Sequence, residues 1–111
     1  MPESPSVELI WRRGCPSWEQ AIALVREQMQ QLGIAPEALV VREVRDQADA
    51  ERESFVGSPT IRVRGRDIQD PGDSPLGLTC RVYRLRDGRV SALPDPADIR
   101  AALAAAIEAG G

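Results

Sequence analysis

Apolar residues in this chain follow two rhythms, and the switches between them mark out its elements. "VELIW" at residues 7–11 is a short run of strand-forming side chains. From Ser17 the spacing changes. Trp18, Ile22, Val25, Met29 and Leu32 recur every three or four residues and line one face of a helix that Gly33 ends. The start of this helix is marked twice: Ser17 and Gln20 match a capping box, while Pro16 suits the first helical position with Cys15 as N-cap.

"ALVVREV" at residues 38–44 is β-branched and predicts a second strand, which a helical crossover of the usual hand sets parallel to the first. Asp46 can cap a short polar helix running through Glu53, after which Phe55 and Val56 drop into the core. "TIRVRG" at residues 60–65 alternates, with Ile61 and Val63 on one face and Arg62 and Arg64 on the other. "CRVYRL" at residues 80–85, with Val82 on the face opposite Arg81 and Tyr83, leads into an Asp87-Gly88 turn. It reads as a fourth strand, antiparallel to the third. Asp95 caps a last helix with Pro96 at its first position and Ile99, Leu103, Ala106 and Ile107 as its apolar stripe, up to Gly110. The order βαβαββα predicts an α/β fold, a central four-stranded mixed sheet flanked by helices, in one domain over residues 1–111.

Composition narrows the chemistry. A net charge of −3 and four aromatic residues give no general attraction to nucleic acid, so none is expected as a partner. No stretch approaches the roughly 20 apolar residues of a membrane span, and the start lacks a secretory signal, so the expectation is a cytoplasmic protein without a membrane partner. With no histidine, Cys–His pairs, Ser–His–Asp triads and His-ligated metals are excluded. Two cysteines in a reducing compartment point to thiols rather than a disulfide framework.

"WRRGCPSW" at residues 11–18 places Cys15 where a strand passes into a helix. A thiol at a helix N-terminus meets unpaired N–H groups and the positive end of the helix dipole, with Arg12 and Arg13 adding charge, so it is expected to be a reachable thiolate. Gly14 lets the backbone turn close to a bound group. Trp18 lies on the apolar stripe and reads first as an anchor of the helix, while its place beside the thiol also makes it a candidate contact.

The segment order, "CPSW" after the first strand and "SPT" (Ser58, Pro59, Thr60) before the third together resemble the thioredoxin superfamily, and most closely the glutaredoxin pattern. The resemblance covers nearly the whole chain. It implies a reactive Cys15 beside a cis-proline at Pro59, with Ser58 offering backbone groups to an extended partner. Gly14, Pro16, Ser17, Trp18, Thr60, Arg12 and Arg13 would complete the substrate-binding surroundings. Trp18 stands where that pattern has its second cysteine, which implies monothiol chemistry on protein or low-molecular-weight thiols and disulfides. No cofactor is implied, and glutathione would enter as a co-substrate.

Two other readings stay open: an interaction module of the same fold without redox activity, and a Cys15 site for a soft metal such as mercury. Cys80 is expected to be a core or strand-start residue, kept from Cys15 by a fourth strand that begins at the far end of the sheet. Asp67, Asp70 and Asp73 recur in the long 65–79 segment without an EF-hand pattern and read as solvated carboxylates.

Overall fold

A computed structural model describes residues 5–15, 17–69 and 81–110, with no side chain described for Gly110. Strand β1 (Val7–Arg12) is followed by helix α1 (Trp18–Gln31), a 3-10 turn (Pro36–Ala38), strand β2 (Leu39–Val44) and helix α2 (Gln47–Arg52). A hairpin of β3 (Thr60–Val63) and β4 (Arg66–Asp67) comes next, then a second hairpin of β5 (Tyr83–Arg84) and β6 (Val90–Ser91), and finally helix α3 (Pro96–Gly110). The architecture is α/β. One sheet has the order β2-β1-β3-β4, with β1 parallel to β2 and antiparallel to β3, and β5 and β6 form a separate two-stranded sheet.

Alternation along the strands sorts the side chains onto two faces. Val7, Leu9, Ile61 and Val63 pack against Ala21, Val25 and Met29 of α1 and Ile99, Leu103 and Ala106 of α3. On the opposite face Ile10 and Val44 meet Ala50 and Phe55, all fully or almost fully buried. Fully burying an aliphatic or aromatic side chain of this size contributes about 1.5–3 kcal/mol. These clusters are therefore what hold the helices to the sheet.

Both acidic caps act as expected. The Asp46 carboxylate accepts from Asp49 N at 2.8 Å and that of Asp95 from Ala97 N at 3.0 Å. The start of α1 differs. Its N-cap is Ser17, which makes no side-chain capping bond, so Cys15 lies two residues ahead of the cap and the Ser17–Gln20 box is not closed. Pro16 is outside the described residues.

The pairing of the third strand also departs from expectation. Arg64 (φ 53°) and Gly65 (φ 79°) make a two-residue turn that folds β4 back onto β3, with Val63 opposite Arg66. The segment from residue 81 pairs instead with residues 90–91. It is tied to β4 by imitation: the Gln69 side-chain amide donates to Arg84 O and accepts from Arg84 N, both at 3.0 Å, as a neighbouring strand's backbone would. Arg81 N lies 2.8 Å from Ser58 O. The segment thus starts beside Ser58, at the end of the sheet where Cys15 sits, and not at the far end.

Candidate functional site

The site is assembled where β1 ends and β3 begins. Ile10 is opposite Thr60 in the antiparallel register, and two residues further along this places Arg12 opposite Ser58. There the ladder changes character, because Arg12 N donates to the Ser58 hydroxyl oxygen at 3.0 Å rather than to a carbonyl. The chain then turns through Gly14, whose φ of +93° lies in the left-handed region and explains a glycine better than crowding does, since no atom lies within 4 Å of a Cβ built there. Cys15 N closes the turn on Arg12 O at 3.2 Å.

This turn sets the Cys15 thiol against Ser58, where Sγ donates to the carbonyl oxygen at 3.5 Å. The Ser58–Pro59 peptide bond is cis. Cys15 is 2% exposed, so the expectation of a thiol open to solvent does not hold: it faces a polar carbonyl but is covered. Ser58 is not offering its carbonyl to an outside strand either, because Arg81 N already donates to it. Thr60, fully buried, donates to Gly57 O at 2.5 Å.

Behind Pro59 is a support that the sequence did not suggest. Tyr83, fully buried, donates its hydroxyl to Pro59 O at 2.6 Å, and burial raises its pKa above the ordinary tyrosine range, with Asp67 reinforcing and Arg81 opposing. The Arg81 guanidinium lies 4.6 Å from the centre of the Tyr83 ring and pairs with Asp67 at 2.5 Å. Asp67 is therefore a half-buried ion-pair partner of the buried Arg81 and not a solvated carboxylate. Asp70, Asp73, Cys80 and the rest of the 70–79 stretch lie outside the described residues. Alternation of Tyr83 with the exposed Val82 was the only signal for this support, and it gives no hint of what Tyr83 touches.

Trp18 is half-buried and stacked on Trp11, with ring centres 4.1 Å apart and planes 14° from parallel. It thus anchors α1 to the end of β1. Arg13 is largely exposed and pairs with Glu43 at 3.2 Å; Arg45 reaches the same carboxylate at 3.3 Å. Arg12, Arg13, Glu43, Val44 and Arg45 line a crevice of about 440 Å³. Of these, only Arg12 and Arg13 stood out in the sequence. Among the described residues no group of three or more cysteine, aspartate or glutamate side chains is placed to hold a metal ion, and no helix is long and apolar enough to cross a membrane.

No protein-family model, no curated protein and no solved structure matches this chain.

Proposed function

We propose that the protein has a thioredoxin-like fold and acts as a monothiol thiol-disulfide oxidoreductase through Cys15. The sheet order β2-β1-β3-β4, with β1 central and β3 antiparallel to it, supports the fold. One observation carries the activity: the thiol at the turn from β1 into α1 is brought within 3.5 Å of the Ser58 carbonyl, 43 positions away in the chain. In the reaction the Cys15 proton is lost and the thiolate attacks a disulfide. The substrate S–S bond breaks, a Cys15 mixed disulfide forms, and the departing thiolate takes up a proton. An external thiol then attacks the substrate-derived sulfur of the mixed disulfide, and the bond to Cys15 breaks and returns it to the thiol. The substrate-derived sulfur leaves in a new disulfide with the external thiol, so one half of the substrate is released as a thiol by net thiol-disulfide exchange.

A second reading, a redox-inactive interaction module, draws support from the 2% exposure of Cys15 and from Trp18 at the fourth position of "CPSW". Incubation with oxidised glutathione followed by intact-mass measurement separates the two. One glutathione adduct, kept in Cys80→Ser and lost in Cys15→Ser, is the expected result. No adduct on the folded protein, or an adduct surviving Cys15→Ser, would overturn the proposal.

A further inference from the structure

Among the cations near the end of β1, Arg12 stands apart. It is half-buried, its Nε is shielded from solvent without a hydrogen-bond partner, and no carboxylate among the described residues pairs with it. Arg42 shows what a settled arginine looks like in this protein. Its Nε is also buried and unpartnered, but its guanidinium is held by Glu8 and by Glu53. A partly desolvated cation without a counter-ion is costly, so Arg12 is arranged as though an anion completes it.

The surroundings say what kind of anion. The crevice that Arg12 lines opens at the carboxyl ends of the parallel strands β1 and β2, where Arg12 is opposite Val44, a common place for ligands in α/β sheets. Glu43, its side chain 15% exposed, holds Arg13 and Arg45 each by Nε alone. Among the described residues no acceptor takes the Nη groups of either, so their outer forks remain available. Three guanidinium groups against one carboxylate leave two positive charges in a chain whose overall charge is −3.

We infer that this crevice binds a dianionic oxyanion of the phosphate class. Arg12 is its inner contact, Arg13 and Arg45 close over it, and Glu43 orients the last two. A planar guanidinium fork matches phosphate oxygens two at a time, and two surplus charges balance a dianion where a single carboxylate would leave one over. At about 440 Å³ the crevice also has room for more than the oxyanion itself. The site goes beyond the thiol chemistry proposed above, because none of its residues is Cys15.

The test is calorimetric titration of the full chain with inorganic phosphate, phenyl phosphate and acetate, above neutral pH and at fixed ionic strength. Both phosphates should bind, with acetate at least about tenfold weaker. A tighter phenyl phosphate assigns the site to an esterified ligand, and equal affinity assigns it to free phosphate. Arg12→Gln and Arg45→Gln should each weaken phosphate at least about tenfold. The Arg45 side chain is 79% exposed, so its replacement tests the site even where Arg12→Gln disturbs folding. Cys15→Ser should bind phosphate unchanged, so loss of glutathione chemistry and loss of this site are read separately. Absence of phosphate binding, acetate binding as tightly, or full affinity in Arg45→Gln would overturn the inference.

Discussion

Replacing Asp67 with alanine tests whether the ion pair behind Pro59 organises the site. Arg81 is 7% exposed, and Asp67 is its one ion-pair partner among the described residues. Removing the carboxylate leaves a buried cation, a change that costs about 3–5 kcal/mol in deeply buried pairs. The lower end applies, because Arg81 still donates to Gln69 O at 2.5 Å and still lies over the Tyr83 ring. A loss of about 3 kcal/mol is thus expected, or about 12 °C in Tm at about 4 °C per kcal/mol for a chain this size. Urea denaturation followed by tryptophan fluorescence reads the loss directly. The double variant Asp67→Ala/Arg81→Met removes the stranded charge as well, and should recover at least about 1 kcal/mol relative to Asp67→Ala. A double variant no more stable than Asp67→Ala would refute the reasoning, since the cost would then come from lost packing and not from an orphaned charge.

Two further outcomes follow from the same support. Tyr83 is the only tyrosine, so absorbance at 295 nm reports it alone: the native chain should show no tyrosinate step near about pH 10, where the urea-unfolded chain titrates. Because its folded pKa is raised, the stability it contributes is complete below about pH 10 and is lost as pH climbs toward the folded value, so alkaline unfolding should accompany its ionisation. A native step at the unfolded position would contradict this. Gly57→Ala should cost about 1–3 kcal/mol in urea midpoint experiments, because φ is +146° and a Cβ there would lie 3.0 Å from the Arg81 backbone. A change under about 0.5 kcal/mol would mean that the contact yields freely.

Legibility in the sequence tracked how long each pattern persists. Trp18, Ile22, Val25, Met29 and Leu32 repeat over four turns, enough to identify α1 and its buried face, while the β-branched run of residues 38–44 identified β2 as a strand but not its faces, since Val40 and Val41 are exposed. Strand β4 is two residues long, below the length at which alternation can register, and its turn uses Arg64 at a positive φ where Asn or Asp would have signalled a hairpin. The "TIRVRG" alternation therefore read straight through the turn, and the next strand-like segment took the place of β4. Cys15 stood out as one of two cysteines, placed at a strand-to-helix junction, and Ser58 and Pro59 through the resemblance of "SPT" before the third strand to the thioredoxin pattern. The crevice did not, because Glu43 and Arg45 look like the solvated charges of any strand end.

The covered thiol still has to be weighed against the chemistry assigned to it, and the Ser58 carbonyl decides how. A thiol is a weak donor, and at 3.5 Å its bond to that carbonyl contributes little. The stronger partner of that carbonyl is Arg81 N at 2.8 Å, which remains when the sulfur swings away, so the Ser58 carbonyl stays satisfied. Exposing the sulfur therefore means moving the short turn around Gly14, whose backbone has open space beside it, while the pairing of Ser58 with Arg12 and Arg81 stays intact. For the proposed thiol-disulfide exchange, the two sides of the site would divide the work: the paired β3 side would hold the partner's docking geometry, and the glycine turn on the β1 side would let the sulfur reach a disulfide.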